Sequence, residues 1–173
     1  IFADDLIAKL KIRGISVKYD DRDTQRPGFK FAEYELKGVP VRIAVGARDT
    51  ENGTVEIARR DTGEKSSQPQ ANLDAYLETL LEDIQQAIYK KALTFREENI
   101  RPANSYDEFK RLLDEQPGFI SAHWDGTPET EQRIKGETKA TIRCIPLNNT
   151  LENGLCILTG KPSTQRVLFA RAY

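Results

Sequence analysis

The sequence predicts an α/β fold: a mixed sheet flanked by helices, followed by a small α+β domain. Three observations predict it. The stretch RPGFKFAEYELKGVPVRIAVGARD, from Arg26 to Asp49, places a turn, a short helix, a second turn and an apolar strand in quick succession. An apolar stripe at helical spacing then runs from Leu73 to Phe95, long enough to cover a sheet. Beyond it, short strand-like runs alternate with capped helices up to the C-terminus.

Composition narrows the function classes. A chain of 173 residues suits one large domain or two small ones. With 38% hydrophobic and 31% charged residues it reads as a globular protein in water. No run approaches the ~20 apolar residues that span a bilayer, so no membrane partner is expected. Two cysteines and no signal-peptide pattern argue for a reducing, cytosolic setting. The formal net charge of -1 gives no global pull toward nucleic acid, so any such binding must use a local patch. There is no G-x-G-x-x-G or Walker lysine loop. With a single histidine, no Ser/His/Asp set can be assembled, and no catalytic residues are expected.

The elements follow in order. Phe2, Leu6 and Leu10 recur every fourth residue and predict a helix from Ile1 to Arg13, capped by Gly14. Ile15 to Tyr19 alternates as a half-buried strand. No strand precedes this helix, so an upstream strand is expected to be missing from the chain as given. Gly28 to Leu36 predicts a second helix, stopped by Gly38 and Pro40. Phe29 is expected in its core-facing side. Val41 to Val45 is the next strand, Ala47 to Gly53 a turn, and Thr54 to Ala58 an antiparallel return. Strand, helix and strand around residues 15–45 imply a parallel pair with a right-handed crossover. Asp61 to Ala71 reads as a connector, and a long helix is expected over 72–99.

A domain boundary is expected between Asn99 and Pro117, giving domains of about 1–100 and 101–173. Ser105 and Glu108 form a capping box for a short helix through Leu113. Phe119 to His123 is a strand. Thr127 caps a helix that begins with Pro128 and carries Glu129 and Glu131 in its first turn. Ala140 to Ile145 is a strand. Leu155 to Leu158 and Arg166 to Ala170 are expected to pair as a hairpin about the Thr159–Pro162 turn. The apolar end, FARAY, reads as a docked terminus.

Three segments together carry a resemblance: RPGFKFAEYELKGVPVRIAVGARD, TKATIRCIP and GKPSTQRVLFARAY. They resemble the C-terminal portion of a prolyl-tRNA synthetase of the archaeal and eukaryotic type, which some bacteria also carry. The resemblance implies that the first hundred residues are a class IIa anticodon-binding domain, with a mixed five-stranded sheet lacking its first strand here. It implies that Glu35, Arg42, Arg48 and Asp49 read the two guanines of the proline anticodon, with Arg48 standing where many relatives have lysine. The chemistry agrees. A carboxylate accepts from guanine N1 and N2, an arginine fork can reach guanine O6 and N7, and loop bases are read when splayed out. Two other readings stay open on the residues alone: Glu35 as a solvated helix residue, and Arg42 as the partner of an acid on a neighbouring strand. Phe29, Phe31 and Tyr34 are candidates for base stacking, with core packing the expectation for Phe29.

The resemblance extends to the last seventy residues, where many relatives hold a structural zinc with four cysteines. The matching positions are Asp125, Cys144, Cys156 and Thr159. Zinc's structural sites want four strong N or S ligands, and a threonine hydroxyl is a poor one. The resemblance therefore implies a degenerate site that has lost its metal, with no cofactor in these residues. Tyr173, the terminal residue, is implied as a strut near the catalytic domain. The parent enzyme implied is a homodimeric ligase joining proline to tRNA(Pro) with ATP and Mg²⁺. This chain would lack its catalytic domain and is expected to be monomeric alone. The alternatives are a free-standing RNA-binding paralogue and a partner-binding module without RNA recognition.

Overall fold

Phe2, Leu6 and Leu10 share one helical face, and the structure, a computed structural model describing residues 2–172, folds them into α1 (Phe2–Ile12). Gly14 ends it at φ +77°, with Gly14 and Ile15 donating back to the Lys11 and Leu10 carbonyls at 3.0 and 2.9 Å. A residue without Cβ takes that left-handed conformation at least cost. Next comes α2 (Pro27–Leu36), whose first residue is a proline with no N–H to leave unsatisfied. After it β1 (Val41–Ala44), α3 (Ala47–Asn52), β2 (Thr54–Arg59) and β3 (Lys65–Pro69) follow in close order, and α4 (Leu73–Glu98) closes the run. The chain divides into two compact units, Ile1–Lys91 and Ala92–Tyr173.

In the first unit the three strands form an antiparallel sheet in the order β1-β2-β3. Alternation decides its faces. Val55 and Ile57 of β2 are buried, and Val41 and Ile43 of β1 lean toward the same core, with Leu6 and Leu10 of α1 and Leu73, Leu77, Leu80 and Ile84 of α4. Arg42 lies between Val41 and Ile43 and so points to the opposite face, where it meets Phe31 of α2. α2 thus belongs to the face away from the core and buries none of its residues.

Five expectations change here. Residues 15–19 do not form a strand. Ile15 and Val17 pack beside the core, but among the described residues this segment joins no ladder, so the parallel pair about α2 is absent as well. Alternation reports which side chains face a core; it does not supply a strand to bond with. The Ala47–Gly53 turn is a short helix, α3, and part of the Asp61–Ala71 connector is β3, a polar strand whose exposed side chains hide its ladder. Phe29 is not core: it is 56% exposed, on a helix that buries none of its residues.

The second unit is built on a four-stranded sheet in the order β4-β5-β9-β6. Its elements run β4 (Ile100–Pro102), α5 (Tyr106–Glu115), β5 (Phe119–His123), α6 (Pro128–Thr138), β6 (Ala140–Cys144), β7 (Gly154–Leu155), β8 (Pro162–Ser163) and β9 (Arg166–Arg171). Both caps form as their residues dictate: Ser105 accepts from the Glu108 amide at 3.2 Å, and Thr127 from the Thr130 amide at 3.4 Å. Phe109, Leu112 and Leu113 of α5 and Ile134 of α6 bury against Ile120, Ala122, Val167 and Phe169. Phe109 and Phe169 meet edge to face, with centroids 5.2 Å apart.

The hairpin expected between 155–158 and 166–170 does not exist. β7 pairs with β8, while β9 lies between β5 and β6 and is antiparallel to both. Val167, Phe169 and Ala170 are all buried, and a strand shielded on both faces belongs in a sheet centre, not at the end of a hairpin. Tyr173, the expected strut, lies outside the described residues. Among the described residues no helix is long and apolar enough to cross a membrane.

Candidate functional site

The α2–β1–α3 segment carries all four expected anticodon-reading residues, and the way each is held differs. α2 ends in a Schellman motif: Gly38, at φ +80°, donates to the Glu35 carbonyl at 3.1 Å, and Val39 to that of Tyr34 at 3.0 Å. This stop is what leaves Glu35 on the last turn with its side chain exposed. Its carboxylate has no hydrogen-bond or ion-pair partner among the described residues, whereas its carbonyl also accepts from Arg60 Nε at 2.9 Å.

Arg42 stands on β1 with its guanidinium carbon 3.5 Å from the centroid of the Phe31 ring. Its Nη1 reaches Glu56 Oε1 at 3.3 Å. The register puts Arg42 opposite Ala58, so Glu56 is its diagonal neighbour on β2. The acid-pairing alternative for Arg42 is therefore the arrangement the molecule adopts, and Nε is buried with no partner among the described residues. Asp49 is the third residue of α3. Its Oδ2 accepts from the Gly46 amide at 2.9 Å and its Oδ1 from Thr54 Oγ1 at 3.3 Å. Gly46 has no side chain to cap with, so Asp49 alone closes this helix start. Arg48, beside it, is exposed and has no partner among the described residues. No hydrogen bond or ion pair joins Glu35, Arg42, Arg48 and Asp49 to one another.

The surrounding charges are largely self-neutralised. Arg22 binds Asp20 and Glu33, both at 2.7 Å, and Lys37 binds Glu33 at 2.5 Å. Arg22 first, and Lys37 second, hold the Glu33 carboxyl below the usual range. Arg59 is taken by Asp61 at 2.8 Å. Of the aromatic candidates, Phe29 is open to solvent, Phe31 lies under Arg42, and Tyr34 has Lys37 Nζ 5.2 Å from its ring centroid. Sequence reasoning missed Glu56 and Arg60. Glu56 lies two positions along β2 from the partner of Arg42, but only a known register reveals that.

Of the four zinc-like positions, Asp125 and Thr159 meet, through a hydrogen bond. Asp125 is a hydrogen-bond hub. It accepts from Thr127 Oγ1 at 2.8 Å, Thr130 Oγ1 at 2.9 Å and Thr159 Oγ1 at 2.8 Å. Burial pushes its carboxyl up, but the Thr127, Thr159 and Thr130 hydroxyls outweigh that and hold it below the usual range. Thr159 donates its hydroxyl hydrogen bond to Asp125, so it stands as a donor and not as a ligand. Cys144 is exposed and Cys156 buried, both as free thiols. Among the described residues no group of three or more His, Cys, Asp or Glu is placed to hold a metal. This donor set does not fit a structural zinc. The 156–161 turn keeps its shape through backbone bonds, Cys156 N–H to the Lys161 carbonyl at 2.8 Å and Gly160 N–H to the Cys156 carbonyl at 2.9 Å.

Comparison with known proteins matches both halves. Residues 2–80 match a family model described as an anticodon binding domain, and residues 106–173 one described as prolyl-tRNA synthetase, C-terminal. The chain belongs to the prolyl-tRNA synthetase family. It is 66% identical over 168 residues to the proline–tRNA ligase of Cytophaga hutchinsonii, covering 97% of this chain and 34% of that protein. It is 60% identical over 171 residues to that of Porphyromonas gingivalis, covering 99% and 34%. With the Flavobacterium johnsoniae ligase it shares 58% over 169 residues, 98% and 34% of the two chains. The chain thus spans about a third of the length of the curated relatives it matches. The PGFKFAEYELKGVPVR run, residues 27–42, holds Glu35 and Arg42, and Arg48 and Asp49 follow shortly after it.

Proposed function

We propose that this chain recognises the anticodon of tRNA(Pro) within a proline–tRNA ligase. Residues 1–100 form its anticodon-binding domain and residues 101–173 its C-terminal domain. One observation carries the reading. In a segment where Glu33, Lys37 and Arg42 are held in ion pairs and Asp49 caps α3, the Glu35 carboxylate and the Arg48 guanidinium are exposed and have no partner among the described residues. Glu35 accepts from the N1 and N2 donors of one anticodon guanine. Arg48 offers a fork to the acceptor edge of a guanine. Arg42 adds a guanidinium fixed against Phe31 by Glu56, with Nη2 uncommitted. Asp49 caps α3 and so positions Arg48, and its carboxylate retains lone pairs for a base donor.

The ligase reaction itself, proline activation with ATP and Mg²⁺ and transfer to tRNA, belongs to a catalytic domain outside these residues. That domain would also make the parent a homodimer, with this chain monomeric alone. Two free thiols suit a reducing, cytosolic compartment. The test is binding of the chain and its Glu35→Ala variant to a tRNA(Pro) and to the same tRNA with both anticodon guanines replaced. Wild type should prefer the guanine form, and Glu35→Ala should lose about 1–3 kcal/mol of that preference. Equal binding of both RNAs by wild type would sink the reading. It would leave the paralogue and partner-binding alternatives.

A further inference from the structure

Arg60 follows β2 directly and is exposed. Its amide donates to the Pro40 carbonyl at 2.9 Å, which carries the β1–β2 pairing one step past Val41. From there its side chain reaches back to α2, and Nε donates to the carbonyl of Glu35 at 2.9 Å. This bond fastens a cation to the carbonyl end of a helix, where the dipole favours positive charge. It also commits only one of the guanidinium's five N–H groups. Nη1 and Nη2 have no partner among the described residues.

Four other cations of this unit are in a different state. Arg22, Lys37, Arg42 and Arg59 each hold a carboxylate, at Asp20 and Glu33, Glu33, Glu56 and Asp61 respectively. Arg60 holds none, although Glu35, the residue whose carbonyl it grips, carries an unpartnered carboxylate of its own. A free anion and a free cation are therefore anchored on the same helical turn without pairing to each other. An anion placed to accept from a base edge would by itself repel the phosphate that the base brings with it. A cation fixed beside it removes that repulsion and gives the phosphate a forked partner. The two charges match the two ends of one nucleotide.

We propose that Arg60 binds a backbone phosphate of the anticodon loop, next to the base that Glu35 reads. This rests on the anticodon reading above. A phosphate contact positions the RNA and carries no sequence information. Its loss therefore weakens all RNAs alike, and it has its own salt signature.

The experiment measures binding of wild type, Arg60→Gln and Arg60→Lys to the guanine tRNA and to its guanine-replaced counterpart, from about 50 to about 200 mM salt. Thermal melts of each variant exclude unfolding as the cause. Arg60→Gln should weaken binding to both RNAs by the same factor, up to about fivefold for an exposed ionic contact. Its log–log salt slope should fall by about 0.7–0.9, the loss of one phosphate contact. Arg60→Lys, which keeps the charge, should retain most of the slope. Wild-type slope and affinity in a folded Arg60→Gln would reduce Arg60 to a helix cap and overturn the proposal. Lost guanine preference at an unchanged slope would also overturn it, because Arg60 would then read a base. Wild type that binds but does not discriminate defeats the anticodon reading alone, and the slope still decides the phosphate contact. Wild type that binds neither RNA sinks both.

Discussion

The Arg42 guanidinium lies 3.5 Å from the centre of the Phe31 ring, across the gap between β1 and α2. Phe31 is one turn before Glu35 on the same helix, so the stack ties the helix bearing one proposed reader to the strand bearing another. Phe31→Leu keeps an apolar contact but removes the ring. We expect it to cost about 0.5–1 kcal/mol in stability, the worth of a cation–π contact near a surface. It should also reduce guanine preference, because Arg42 then keeps only Glu56. Urea titration and tRNA binding measure the two effects separately; unchanged preference would show that Arg42 is structural.

Asp125 gathers three threonine hydroxyls and joins the start of α6 to the 156–161 turn. Its carboxyl is held below the unfolded value of about 3.9. A depressed carboxyl contributes stability that is present above its unfolded pKa and lost as pH falls through its folded one. The contribution should therefore be complete at neutral pH and disappear in strong acid. Asp125→Ala should cost about 1–3 kcal/mol at neutral pH and flatten the acid limb of the stability curve below about pH 4. Because no metal is proposed to hold this turn, EDTA should leave the wild-type melting temperature unchanged. Stoichiometric zinc by elemental analysis would contradict that.

Arg166 is the tie at one end of the second sheet. Its Nη1 donates to the Ala103 and Ser121 carbonyls at 3.1 and 3.2 Å, Nη2 to Asn104 Oδ1 at 2.6 Å, and Nε to Glu152 at 3.0 Å. Arg166→Met keeps most of the stem, removes the guanidinium's bonds to the Ala103 carbonyl and to Glu152, and leaves the Ser121 carbonyl with the Ala103 amide alone. A loss of roughly 1.5–3 kcal/mol is expected, readable as a lower urea midpoint at constant slope.

Gly154 sits against the buried ring of His123, so a Cβ placed there would run into the imidazole. His123 Nδ1 lies 3.1 Å from Ser163 Oγ, and Ser163 donates onward to the Gln165 carbonyl at 3.0 Å. The ring cannot turn aside without giving up that chain. Gly154→Ala should therefore destabilise by about 1–3 kcal/mol, the usual cost of overpacking. The double variant Gly154→Ala with His123→Ala should recover part of that loss if the clash is its cause.

Local signals carried much of the fold. The apolar stripes of α1 and α4, Pro27 and Gly38 about α2, and the caps Ser105 and Thr127 all act within a few residues of themselves. What failed depended on partners far along the chain. Residues 15–19 have a strand's alternation but no ladder neighbour. Leu155–Leu158 and Arg166–Ala170 read as a hairpin because they are close in sequence, yet the apolar β9 gains more by lying between β5 and β6. The β3 strand was hidden because backbone bonds to β2, and not side chains, hold it.

The same division governs the site. By itself the sequence determined the family, through the run from Arg26 to Asp49, and the α2–β1 unit with its charged residues. Only the tertiary structure decided which of those charges are free. Arg42 is matched by Glu56 from another strand, and Asp125 is turned into a hydroxyl hub by Thr159 from 34 positions away, whereas the capping of α3 by Asp49 is local. Glu35, Arg48 and Arg60 keep charged groups exposed and without an ion-pair partner among the described residues. A charge's availability depends on which other charges the fold brings within a few ångströms, because ion pairs and hydrogen bonds act over that distance and take no account of separation along the chain.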